Sequence, residues 1–219
     1  VHYGAWPNNG IERQGGGAPI ALDIFAEPVW EEDLTLVDTS ASGTWNAVCT
    51  DPMVANATCE NGHLRVTAVG KGTTTLTVSY GEYELELTVN VTAELRLDPE
   101  KVTMFTNDTV VVPLSACDRN MNPVVYPQGA EADGLAVLPE NITCDSELLT
   151  VEKAEEEPPS EENPGKPPVR LRLTSGGESG EDIRVNVGFT CTYQTVPYED
   201  ARPISVTVIE LPEAVFDQT

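Results

Sequence analysis

The 219-residue chain sets 36 acidic residues against 12 basic ones, a formal net charge of −24, and only 6% of its residues are aromatic. A field of that sign repels nucleic-acid phosphates and anionic lipid surfaces, which excludes nucleic acid as an expected partner. The length suits one large β domain or two domains of about 100–150 residues, and no apolar run approaches the roughly 20 residues that a membrane-spanning helix needs, so no membrane insertion is expected.

Residues 1–17, rich in Gly and Asn, read as an irregular N-terminal segment. Ile20, Leu22 and Ile24 then alternate, as do Leu34 and Leu36, and Thr44–Cys49 is a further strand candidate. Three strongly periodic runs follow: Leu64, Val66, Ala68; Thr74, Leu76, Val78, Tyr80; and Tyr83, Leu85, Leu87, Val89, Val91. Each keeps one face apolar and the other polar, the period of a half-buried strand. Together they predict a three-strand meander, turned at Gly70–Gly72 and again around Gly81. The dipeptide Asn61-Gly62 tolerates positive φ and marks a hairpin turn.

A first domain is therefore expected over 18–93 and a second over 94–219. In the second, residues 94–98, Thr109–Ala116, Leu148–Val151, Val169–Leu173, Ile183–Tyr193 and Ile204–Leu211 read as strands. Lys153–Pro168 interrupts them with prolines, which cannot donate ladder hydrogen bonds, and mutually repelling glutamates. It reads as a mobile acidic Pro-rich loop (153–168) inserted within the second domain. No segment has helical periodicity, so the expected fold class is all-β.

Candidates for chemistry are few. GKGTTT at Gly70–Thr75 evokes a phosphate loop, yet its lysine lies between the glycines and a strand follows where a helix is needed, so no cofactor is expected. Asp118, Asn120 and Asn122 have the spacing that opens a calcium loop, but Pro123 and Gly129 occupy positions that need glycine and glutamate. An Asx-rich turn is expected there, and no metal. His2 and His63 are the only histidines, neither near a nucleophile-elbow sequence, so the chain does not read as an enzyme. Trp6 and Trp30 are the candidates for stacking on a glycan ring, with Tyr3 and Tyr80 beside them in the same hypothetical platform. Five cysteines lack any Cys-x-x-Cys pair, which argues against structural zinc. In an oxidising compartment Cys49 and Cys59 are close enough in sequence to staple a local loop. A second bridge between Cys117 and Cys191 would leave Cys144 free. Starting at Val1 with no initiator Met or signal peptide, the chain reads as a mature or trimmed form whose export segment has been removed.

Residues 44–80, TWNAVCTDPMVANATCENGHLRVTAVGKGTTTLTVSY, carry a family resemblance. Trp45 opening a strand, the Asp-Pro-x-Val-Ala run at Asp51–Ala55, Asn61-Gly62, Val66-Thr67-Ala68, the Gly-x-Gly-Thr loop and the Thr-x-Leu-Thr-Val strand resemble the bacterial immunoglobulin-like domain, group 2, of intimin- and invasin-type surface proteins. Residues 95–114 resemble the start of a second such domain, divergent downstream. The resemblance implies two immunoglobulin-like β-sandwich domains in tandem. It further implies a non-catalytic structural or adhesion module, extracellular or at the cell surface. Its partners would be other domains of the same protein, with a host or matrix protein or a glycan as a further candidate. The alternative is a carbohydrate-binding accessory module of a secreted glycoside hydrolase.

Overall fold

The computed structural model describes residues 10–124, 135–155, 169–193 and 196–211. Contacts divide the chain into two compact units, Val1–Glu94 and Leu95–Thr219. All regular structure among the described residues is β, and each unit is an immunoglobulin-like sandwich.

Among the described residues the first unit has nine strands: β1 (Ile11–Glu12), β2 (Ile20–Asp23), β3 (Val29–Asp33), β4 (Thr35–Leu36), β5 (Trp45–Cys49), β6 (Ala55–Glu60), β7 (His63–Ala68), β8 (Gly72–Tyr80) and β9 (Tyr83–Thr92). One sheet runs β2-β9-β8-β5 and the other β3-β7-β6, while β1 and β4 form a short ribbon. The core lies between the sheets, where the period-two faces meet. Ile20 and Leu22 stand opposite Val89 and Val91, Leu76 opposite Leu87, and Leu64 and Val66 line the facing sheet. All of these side chains are buried, and each contributes roughly 1.5–3 kcal/mol relative to exposure.

Asn61 and Gly62 both hold positive φ, 53° and 85°, and close the β6–β7 hairpin in the expected way. The predicted meander is corrected at Gly70–Gly72. Strand β7 already has neighbours on both sides, β3 and β6, so the chain cannot fold back onto it. The glycine stretch instead carries the chain across to the other sheet, where β8 pairs with β9 and β5. This crossover is anchored by the amides of Val69 and Gly70, which donate to the Val54 carbonyl at 2.9 and 3.1 Å. A Cβ at Gly70 would lie 2.5 Å from the Met53 carbonyl oxygen, so the close approach requires glycine. The Gly81 turn between β8 and β9 is a true hairpin.

At the far end of β2, the fully buried carboxylate of Asp23 gathers the chain exit. Its Oδ1 accepts from the Phe25 and Ala26 amides, both at 3.0 Å. Its Oδ2 accepts from the Thr92 hydroxyl at 2.8 Å and the Glu94 amide at 3.0 Å. The first strand, its following turn and the end of the last strand are thus held by one side chain.

The second unit contains β10 (Arg96–Asp98), β11 (Lys101–Phe105), β12 (Thr109–Pro113), β13 (Ser115–Cys117), β14 (Leu135–Cys144), β15 (Leu149–Lys153), β16 (Arg170–Ser175), β17 (Gly180–Tyr193) and β18 (Val196–Ile209). Its sheets run β11-β18-β17-β14 and β12-β16-β15, with β10 and β13 as the ribbon. This is the first unit's topology strand for strand. The first and last long strands pair in parallel in both, Ile20↔Val89 in one and Lys101↔Ser205 in the other. Individual bonds recur as well. The Ile24 amide donates to Thr92 O at 2.9 Å, and the Thr106 amide to Ile209 O at 3.0 Å. Ala68 N to Pro28 O at 2.8 Å is matched by Ser175 N to Asp108 O at 3.0 Å, and Val69 N to Val54 O by Gly176 N to Leu148 O. The second crossover, Gly176-Gly177-Glu178-Ser179-Gly180, therefore stands where the first unit has its Gly-x-Gly-Thr loop.

Strands β15 and β16 are antiparallel partners, so residues 154–169 connect the strands of one hairpin, the counterpart of Asn61-Gly62. The expected acidic loop falls largely at 156–168, outside the described residues. Replacing Asp23 by alanine should lower stability by about 2–4 kcal/mol, because four donors lose a charged acceptor in a buried site. Denaturant unfolding of the variant checks this; an unchanged midpoint would refute the role given to Asp23.

Candidate functional site

Trp30 lies in β3, directly opposite Val66, and Glu32 lies opposite Leu64. Cross-strand partners share a face, so Trp30 and Glu32 point to the same inward side as those two core residues. Arg13, from the segment before β2, places its guanidinium carbon 5.1 Å from the centre of the Trp30 ring. Its Nε donates to Glu32 Oε2 at 2.9 Å, with the two side chains only 5% and 11% exposed. Arg13 also donates to the Ala18 carbonyl at 2.7 Å, and the Gly15 amide donates to Glu32 Oε1 at 3.2 Å. The Arg13–Glu32 pair is thus nearly buried beside β3, and the guanidinium lies over the indole. Trp6 and Tyr3 lie outside the described residues. Tyr80 sits elsewhere, against Trp45, with ring centroids 5.0 Å apart, so Trp30 and Tyr80 belong to separate aromatic contacts.

The β3–β7 outer face carries the reverse set. His63 Nδ1 meets Asp33 Oδ1 at 2.8 Å and Arg65 pairs with Glu31, all in cross-strand register. His63 thus belongs to a surface ladder of polar cross-strand pairs.

The cysteines depart from expectation. No disulfide is formed in the structure: neither Cys49 with Cys59 nor Cys117 with Cys191 is bonded. The topology of the first pair also differs from the expected one. Cys49 and Cys59 stand in different sheets, each held in its own register opposite Leu76 or Leu64, so the interval between them is an inter-sheet crossover instead of the stapled local loop expected. Burial pushes the Cys49 and Cys59 thiols above their usual value. At Cys117 burial does the same, reinforced by the charges of Asp98, Asp118 and Glu100.

Asp118, Asn120 and Asn122 come together as an Asx turn. Asp118 Oδ1 accepts from the Asn120 and Asn122 amides at 2.8 and 3.0 Å, and Oδ2 accepts from the Asn122 side-chain nitrogen at 3.2 Å. Partial burial opposes ionisation of this carboxyl, but the hydrogen bonds from Asn122 and Asn120 outweigh it and hold the group below its ordinary range. Both oxygens are engaged by N–H donors of their own loop. Among the described residues no group of three His, Cys, Asp or Glu side chains is placed to hold a metal.

Shallow depressions remain at the loop end of the first unit. One is bordered by Asp38, Ser40, Ser42, Tyr80, Glu82 and Tyr83, another by Gly43, Thr44, Trp45, Glu60, Asn61 and Tyr80. In the first, Ser40 donates from its hydroxyl and amide to Asp38, which lowers that carboxyl. Desolvation, followed by the charges of Asp38 and Glu82, raises the Tyr83 phenol. Among the described residues the resolved shifts thus lower the carboxyls of Asp38 and Asp118 and raise the thiols of Cys49, Cys59 and Cys117 and the phenol of Tyr83. In the second unit a groove is bordered by Glu100, Asp145, Asp182, Arg184 and Ser205. Its polar groups are turned on one another: the Arg184 amide donates to Asp145 at 2.9 Å and the Ser205 hydroxyl to Asp182 at 3.1 Å.

No family model and no curated protein sequence matches the chain. Among solved structures it is similar to domains 5–6 of the S-layer protein SbsC, at 17% identity over 92% of this chain and 97% of that one, with a TM-score of 0.30. A structure of domains 4–9 of the surface layer protein SbsC matches at 18% identity and a TM-score of 0.33; 92% of this chain is covered, and it spans 31% of that chain's length. Fibronectin(III)-like modules of Clostridium thermocellum CbhA match at 10% identity over 91% of this chain and 94% of that one, with a TM-score of 0.28. These likenesses are too distant to inform function, and the fold rests on the strand pairing itself.

The burial of the thiols has a measurable consequence. Alkylation of the native protein at pH 8 should be slow at Cys49, Cys59 and Cys117, while unfolding without reductant should release five reactive thiols. A release of three would mean that one pair is bonded, and rapid native labelling at these positions would contradict their burial.

Proposed function

We propose that this chain is a structural module of a bacterial cell-surface or secreted protein, its first domain of the group 2 immunoglobulin-like kind and its second a divergent immunoglobulin-like sandwich. The observation that carries the reading is the parallel pairing of first and last long strands in both units, β2 with β9 and β11 with β18. Parallel neighbours begin at the same end of a sheet. The chain therefore enters each sandwich at one end and leaves it at the other, as a module used for spanning distance requires. Tension applied through the chain loads the hydrogen bonds of that pair along the strand direction, so many must yield together. Repetition of one nine-strand topology, with recurring individual bonds, is what a spacer gains length by adding.

The acidic exterior supports the same reading. A net charge of −24 favours solubility and opposes nonspecific adhesion to anionic surfaces. In this reading the expected location is extracellular or on the cell surface, and the main partners are neighbouring domains of the same protein. Any ligand contact falls to loops held by the rigid sheets.

Single-molecule stretching between the two chain ends provides the test. Two discrete unfolding events are expected, one per unit, at forces well above those that extend unstructured chain. Smooth extension without force peaks would rule out the load-bearing role.

A further inference from the structure

The sequence contains Asn-Gly twice, at Asn9-Gly10 and Asn61-Gly62. Asparagine is thermolabile, and a following glycine has no side chain to shield its amide nitrogen. At the second site that nitrogen can attack the side-chain carbonyl of Asn61. The bond from Gly62 N to Asn61 Cγ forms, the bond from Cγ to Nδ2 breaks, and the displaced amide leaves as ammonia with the Gly62 proton. Water then opens the five-membered succinimide at one carbonyl or the other, giving aspartate or isoaspartate. The reaction needs only water and hydroxide.

The backbone decides when Asn61 can react. Ring closure needs the Gly62 nitrogen on the same side of the Cα–C bond as the Asn61 Cβ. Asn61 instead holds φ at 53°, in the left-handed well. There ψ is about +47°, which swings the following nitrogen nearly opposite the Cβ.

The turn is also clamped. Glu60 and His63 are cross-strand partners on either side of it, and the Leu34 amide donates to Gly62 O at 2.7 Å. Gly62 is buried, and a Cβ built there would lie 2.8 Å from Leu34 O and 3.6 Å from the Trp45 ring. The glycine is thus wedged between the Leu34 backbone and the indole. Asn61 itself is exposed, so water reaches its side chain.

We infer that Asn61 is a conformationally locked deamidation site: the β6–β7 hairpin must open before it reacts. The rate in the folded chain is then the intrinsic rate multiplied by the fraction of time the hairpin is open, a quantity set by local unfolding. Isoaspartate routes the backbone through its side chain and adds one carbon to a connection of two residues. The left-handed residue that the tight turn requires is lost with it, and so is the pairing of Glu60 with His63. Openings that end in chemistry are permanent, and the site accumulates a record of them. The inference follows from the turn alone and does not depend on the load-bearing role.

Incubation of the full chain at pH 8, folded and in guanidinium chloride, tests this by peptide mapping that separates asparagine, aspartate and isoaspartate. In the unfolded chain Asn61 and Asn9 should react at similar rates. In the folded chain Asn61 should react slower than in the unfolded one by about tenfold or more, and guanidinium too dilute to alter the circular dichroism should quicken it. Trp45→Ala removes the ring that lies against Gly62; it should quicken the reaction in the folded chain and leave the unfolded rate unchanged. Should that variant not fold, the guanidinium series on the unaltered chain decides alone. The isolated isoaspartate product should have lost hydrogen-exchange protection along β6 and β7. Equal rates at Asn61 in folded and unfolded chain would overturn the lock, and a product with intact protection would overturn the record.

Discussion

The constraint on which both units depend is the parallel pairing of their first and last long strands. Sequence neighbours can pair through a tight turn, but β2 and β9 lie some 70 residues apart, as the bond from the Thr92 hydroxyl to the Leu22 carbonyl records. Bringing them together requires everything between to be folded. Loop-closure entropy is spent before the reward arrives. The pairing thus works as a clasp on a completed sandwich, and the first unit reinforces it with the buried Asp23 carboxylate. The second unit has Phe105 at the corresponding end of β11, opposite Ile209, so the same clasp is built there without a buried charge.

How much of this was legible in the sequence follows from which residues bear a clean period. Strands β8, β9, β17 and β18 alternate strongly because central strands and their neighbours pack one full face on the core. Asn61-Gly62 is readable because its requirement for positive φ is local. Strand β3 was not, since Val-Trp-Glu-Glu-Asp places an acid on the inward face, and only the distant Arg13 makes that tolerable. Strand β6 escaped for a related reason: its inward residues Ala55, Ala57 and Cys59 are small and leave little pattern. The meander failed at Gly70–Gly72 because a glycine loop looks the same whether it returns a chain to its neighbour or sends it to the opposite sheet. That choice is made by β3, which occupies the free side of β7.

The candidate site was legible to a lesser degree. Asp118, Asn120 and Asn122 signalled an Asx turn through spacing alone, because the hydrogen bonds are local. Trp30 gave no hint that a guanidinium would cover it, since Arg13 reaches it only through the path of the preceding segment. Proximity of Cys49 and Cys59 in sequence suggested a staple, yet a crossover between sheets intervenes. The duplication was legible at the start of the second unit, where residues 95–114 resemble the opening of another such domain, and was lost downstream, where equivalent positions share backbone bonds and not residue types. Gly-Lys-Gly-Thr in one unit and Gly-Gly-Glu-Ser-Gly in the other perform the same crossover.

The central claim is that each half of the chain is a complete sandwich, closed by its own parallel clasp. The most direct measurement is to express residues 1–94 and 95–219 separately and follow thermal unfolding by circular dichroism, with NMR for strand contacts. Each fragment should unfold in a single cooperative transition and show the parallel contacts, Ile20 with Val89 in one and Val102 with Val206 in the other. A fragment that is unfolded alone, or folded without its first-to-last strand contacts, would contradict the account.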